Sequence, residues 1–84
     1  MNKWKQKTRP FCLEKRFEFD SYEGTRDFLD LLGNYSEEKD RFPDISFGKT
    51  YVNITIRPED ESSLSEEDHV FASDIDQIFS EGKI

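Results

Sequence analysis

Cysteine and histidine are almost missing from this chain: Cys12 and His69 stand alone among 84 residues. A single cysteine excludes an intrachain disulfide, and with it a small secreted scaffold held by cross-links; it suits a reducing compartment. One cysteine and one histidine also exclude a clustered metal site of the zinc type. No apolar run approaches the length of a membrane span. A secretory leader is not expected, because Met1–Pro10 is basic but Phe11-Cys12-Leu13 is too short for its apolar region. A soluble, intracellular protein without metal or membrane contact is expected. Positive charge is outnumbered: 12 Lys and Arg stand against 19 Asp and Glu. The net charge of -7 disfavours nucleic-acid binding by the domain as a whole.

Apolar residues make up only 33% of the chain against 37% charged, a balance close to that of disordered sequences. What is present contradicts that average. Eight Phe, three Tyr and one Trp form a large aromatic supply, and they recur at regular spacing. The expectation is one domain with a thin aromatic core under a charged surface. A core of this size gives marginal stability, so self-association is a reasonable way to bury more surface. The charge is unevenly spread: Met1–Arg16 is +5, leaving -12 for the remainder. Residues 1–10 are set apart as a basic, partly mobile arm, and residues 11–84 as the single domain.

Phe11, Leu13, Lys15, Phe17 and Phe19 share one parity, while Cys12, Glu14, Arg16 and Glu18 share the other. This is the alternation of a half-buried strand, and a weaker strand before it would complete a hairpin. Asp20 or Ser21 offers a helix N-cap, and Tyr22, Thr25, Phe28, Leu29 and Leu32 follow at helical spacing. Gly33 is either the end of that helix or an interior glycine. Arg41-Phe42-Pro43-Asp44 breaks the helix. Ile45 and Phe47 alternate, Gly48-Lys49 turns the chain, and Tyr51–Ile56 is the strongest strand signal. An acidic loop then leads to Leu64 and the N-cap Ser65, with a second helical stripe over Phe71, Ala72, Ile75, Ile78 and Phe79. Strands, helix, hairpin and helix predict an α+β two-layer sandwich: a four-stranded antiparallel sheet in ββαββα order with both helices on one face.

Several of these segments resemble the pterin-4a-carbinolamine dehydratase family. Phe17-Glu18-Phe19-Asp20-Ser21-Tyr22 is similar to the family's F-x-F-x-[DS]-[FY] helix entry. Val52-Asn53-Ile54-Thr55-Ile56 is similar to its V-x-I-x-L strand. Leu64-Ser65-Glu66-Glu67-Asp68, with Ala72 and Ile75, resembles its G-L-S-x-x-D helix and A-x-x-I continuation. The matches hold register from Phe17 to Ile78.

The departures fall on the chemistry. The resemblance implies dehydration of a 4a-hydroxytetrahydropterin, for which a proton must reach the leaving hydroxyl and another must leave a ring nitrogen. Histidine suits that task near neutral pH. The family's His-His-Pro falls on Arg41-Phe42-Pro43, and its third histidine on Glu59. Arg41 stays protonated and Phe42 carries no proton to move. Asp68 matches the family's helix-start aspartate but cannot run the reaction alone. His69 lies off the apolar stripe and is read as a surface residue; Cys12 is read as an inert thiol.

A dehydratase-like frame without catalytic histidines resembles the RuBisCO assembly factors of α-carboxysomes. That likeness implies a non-enzymatic chaperone with no cofactor, whose partners are the RuBisCO large subunit and a second copy of itself. A dehydratase working with substituted groups is the alternative. A transcription-cofactor-like dimer module has no specific support in the residues. The partner-binding candidates are Arg41, Phe42, Pro43, Asp44, Glu59 and Asp68, at the former pocket. Two arrangements are open there. Arg41 and Phe42 could present themselves to a protein. Alternatively Phe42 fills the vacated pocket and Arg41 pairs with Asp44 or Glu59.

Overall fold

The computed structural model describes residues 4–8, 11–58 and 64–82. Strands β1 (Lys5–Thr8) and β2 (Phe11–Glu18) precede helix α1 (Tyr22–Lys39). Strands β3 (Asp44–Phe47) and β4 (Tyr51–Ile56) precede helix α2 (Glu66–Gly82). The sheet order is β1-β2-β4-β3, antiparallel throughout. This is the α+β sandwich that the patterns predict. Lys5–Thr8, within the basic arm, is the weaker strand of the first hairpin.

Pairing register explains which side chains enter the core. Leu13 lies opposite Ile56, Lys15 opposite Ile54 and Phe17 opposite Val52. Directly opposed residues share a face of the sheet. This row meets Phe28 and Leu32 of α1 and Phe71, Ala72 and Ile75 of α2 in one apolar cluster. Lys15 is the polar exception in the row. Its ammonium reaches Asp76 of α2 at 2.6 Å, and the indole N–H of Trp4 donates to the same carboxylate at 3.0 Å. One acid on α2 therefore ties that helix to β2 and to the residue before β1.

The other row of β2 shows one departure from simple alternation. Cys12 has the outward parity, yet it is only 3% exposed. Lys7, Glu14 and Arg57 lie close enough to act on its thiol. Burial, followed by the Glu14 carboxylate, pushes that thiol's pKa up, so the thiolate is disfavoured.

Helix α1 starts where Ser21 caps it, its hydroxyl accepting the Gly24 N–H at 3.1 Å. Gly33 is interior, and a methyl group added there would meet nothing within 4 Å. Glycine does matter at Gly48, where an added Cβ would fall 2.2 Å from the Tyr51 ring. The helix ends at Asp40, whose φ of 52° puts it in the left-handed region. Asp40 N–H donates to the Glu37 carbonyl at 3.2 Å and Arg41 N–H to that of Ser36 at 3.0 Å. This is the Schellman arrangement with aspartate in the usual place of glycine. Among the described residues, no helix is long and apolar enough to cross a membrane.

Candidate functional site

The left-handed turn at Asp40 sends the chain off the end of α1, and Arg41 is the first residue beyond it. Its guanidinium makes three contacts, two with α2 and one with the chain at the end of β4. Nη2 donates to Oδ1 of Asp68 on α2. It also donates to the Arg57 carbonyl, at the end of β4, at 3.1 Å. The guanidinium carbon stands 4.8 Å from the centre of the Phe71 ring, a cation–π distance.

Asp68 occupies this corner because of its place in α2. It is the third residue after Ser65, and its Oδ2 accepts the Ser65 backbone N–H at 2.8 Å and the Ser65 hydroxyl at 3.2 Å. That is the reach-back half of a capping box, supplied by aspartate. Leu64, next to the cap, packs against the core as a staple. Only 2% of Asp68 is exposed. Burial alone pushes its carboxyl pKa up. The Ser65 amide, the Arg41 guanidinium and the Ser65 hydroxyl outweigh that and hold it below the usual carboxylate range. Both oxygens are engaged, one by Arg41 and one by Ser65. The carboxylate is held ionised near neutral pH and is a poor proton carrier there.

The remaining candidates separate. Asp44 pairs with Arg57, whose Nε donates to it at 2.5 Å on the surface. Phe42 is 65% exposed. Pro43 is half-buried beside it. Glu59 lies outside the described residues. Of the two arrangements open in the sequence, Phe42 filling the vacated pocket does not occur, and Arg41 pairs with Asp68 instead of Asp44. A cleft of about 320 Å³ lies here between the Asp40–Asp44 loop and the end of β4.

Sequence reading missed Arg57 and Phe71. Arg57 joins the corner through its carbonyl, a backbone group that no side-chain pattern reports. Phe71 was assigned to the core stripe, and its second role under Arg41 depends on the docking of α2. A further tie, between Tyr35 of α1 and Asp74 of α2, has its hydroxyl donating at 2.5 Å. Burial, reinforced by Asp74, raises the Tyr35 pKa, so the phenol stays protonated.

The family model described as "Pterin 4 alpha carbinolamine dehydratase" matches residues 1–78. The chain belongs to the pterin carbinolamine dehydratase family. A candidate pterin-4-alpha-carbinolamine dehydratase of Rubrobacter xylanophilus is 33% identical over 66 residues, covering 79% of this chain. The chain spans 62% of that relative's length. Among solved structures, a pterin dehydratase-like protein identified as a RuBisCO assembly factor in the α-carboxysome is 44% identical. The match has a TM-score of 0.81 and covers 90% of this chain and 88% of that one. A transcriptional coactivator/pterin dehydratase from Brucella melitensis shares the fold at 20% identity. Its TM-score is 0.79, with 89% and 80% of the two chains covered. In this chain the aspartate at the start of α2, Asp68, is bound by Arg41.

Proposed function

We propose that this domain is a non-enzymatic RuBisCO assembly chaperone of α-carboxysome biogenesis, cytoplasmic and carboxysome-associated, acting without a cofactor. One observation carries the reading: Arg41 and Asp68 are engaged with each other, so the former pocket holds a structural ion pair in place of a proton relay. The 44% identity to a RuBisCO assembly factor supports the choice of client. Phe42, exposed on a loop that Arg41 anchors, is the contact for the large subunit; a solvent-facing aromatic in a fixed loop has the character of an interface anchor. Pro43, Asp44 and Glu59 complete that surface. A second copy adds along β3, an edge strand on which Ile45 and Phe47 are exposed.

The test is capture of RuBisCO large subunit from an extract of α-carboxysome-bearing cells by the immobilised chain. Capture is expected, and Phe42→Ala should weaken it about tenfold. Equal capture by a folded Phe42→Ala protein removes the Phe42 contact. No capture by the unaltered chain removes the chaperone role. The family membership supports one alternative, a 4a-hydroxytetrahydropterin dehydratase working with substituted groups. A dehydration assay separates the two. Turnover above background that is lost in Asp68→Asn or Glu59→Gln would establish the alternative.

A further inference from the structure

The helical layer carries this domain's negative charge. Helix α2 holds six acids and no Lys or Arg, and α1 holds five acids against Arg26 and Lys39. The outward face of the sheet mixes the signs: Lys7 lies by Glu14, Arg16 by Glu18 and Arg57 by Asp44. A cationic partner therefore meets a complementary field on the helical side.

That side has a cleft of about 350 Å³ between the last turns of α1 and the first turns of α2. Its floor is the Tyr35 and Phe71 rings, with centroids 5.3 Å apart and planes 32° apart. Val70 forms an apolar shoulder, 52% exposed. Valine is a mediocre helix former, and this one gains little from burial at a solvent-facing position. Glu66 and Glu67 line the same cleft, exposed, and make no ion pair among the described residues. Lys39 also lines the cleft, its ammonium 6.0 Å from the centre of the Tyr35 ring. Arg41 lines it too, with its charge met by Asp68. It is the common wall of this cleft and the one beside Phe42.

We propose that this interhelical cleft docks a basic segment of the client protein, seating an apolar side chain on Tyr35, Val70 and Phe71 and pairing Lys or Arg side chains with Glu66 and Glu67. The proposal rests on the chaperone reading and extends its contact from Phe42, across Arg41, onto the helices. The occupant is cationic because Glu66 and Glu67, which make no ion pair among the described residues, outnumber Lys39, and it carries an apolar anchor because the cleft floor is aromatic.

The test measures binding of RuBisCO large subunit to the full chain across a salt series. Three variants are compared, each with a circular dichroism spectrum and urea midpoint matching the unaltered chain. Val70→Asp should weaken binding about tenfold. The pair Glu66→Gln/Glu67→Gln should weaken it about fivefold and flatten its salt dependence. The pair Asp27→Asn/Asp30→Asn removes the same charge elsewhere on α1 and should stay within about twofold. If Val70→Asp does not fold, Val70→Ser takes its place. Equal weakening by the Asp27/Asp30 pair would mean that net charge alone attracts the client, and the cleft proposal falls. Unchanged binding by the cleft variants also overturns it, while leaving the chaperone reading intact. No binding by the unaltered chain ends both. A shift of the cleft variants from dimer to monomer in sedimentation would assign the cleft to a second copy and overturn the proposal.

Discussion

Where α1 begins and α2 ends, four phenylalanines close the helical layer onto the sheet. Phe17, Phe19, Phe28 and Phe79 make ring contacts with centroids 4.9 to 5.8 Å apart. Where α1 ends and α2 begins, polar ties surround the ring contact of Tyr35 and Phe71: Tyr35 to Asp74, Arg41 to Asp68, and Asp68 to Ser65. The phenylalanine cluster relies on contacts that are individually weak, undirected and insensitive to pH, with the Asp76 tie to Lys15 and Trp4 beside it. The polar end relies on few contacts that demand geometry, and losing one partner strands the other. Both proposed contact surfaces belong to the polar end, away from the phenylalanine cluster.

The largest effect should come from breaking the apolar end. Phe28→Ala should cost about 3–5 kcal/mol, measured by urea unfolding. That is a large part of the stability of any domain this small. A loss under about 1 kcal/mol would show the cluster to be far less important than its packing indicates.

Arg41→Ala should cost about 2–3 kcal/mol, because it leaves the buried Asp68 carboxylate without its cation. The double variant Arg41→Met/Asp68→Leu should cost less than Arg41→Ala, since no orphan charge remains. If the double variant is instead the less stable of the two, the pair contributes net stability beyond avoiding an orphan.

The two ends should also separate by pH. Asp68 has a folded pKa below its unfolded value, which is about 3.9. Its stabilising contribution is therefore complete above that unfolded value and is lost as pH falls through the folded one. Unfolding followed by circular dichroism should show Phe28→Ala parallel to the unaltered chain across the acid range. The gap for Arg41→Ala should narrow below about pH 4. A constant Arg41 gap would remove the ion pair as its cause.

The smallest effect lies between the two ends. Gly33→Ala meets open space and should stabilise by about 0.5–1 kcal/mol through helix propensity alone. The gain should add equally to Phe28→Ala and to Arg41→Ala. Unequal gains would mean that α1 transmits changes from one end to the other.

The frame was legible because alternation and helical spacing are local signals. β2 was read from parity, β4 from its β-branched residues, and α2 from Leu64, the Ser65 cap and its stripe. The same local signals overstated some burial. Tyr22 leads the α1 stripe yet is exposed, and Ile45 and Phe47 alternate on an edge strand that leaves both in solvent. Thr25, an apparent compromise in that stripe, is fully buried because its hydroxyl donates to the Lys49 carbonyl at 2.8 Å. At the site, sequence picked out Arg41 and Asp68 but did not join them. They are 27 positions apart, and their meeting depends on how α2 docks beside the end of β4. Lys15 and Asp76, 61 positions apart, were invisible as a pair for the same reason.

The Arg41 corner also bears on how freely this position can change. Replacing Arg41 with histidine would shorten the side chain, release the Arg57 carbonyl and weaken the counter-charge on Asp68 before any catalysis was gained. A step toward a proton relay at this corner begins by destabilising a small domain. Selection for folding alone then guards the present residues. The ion pair acts as an evolutionary latch: with arginine in place, a change to histidine runs uphill.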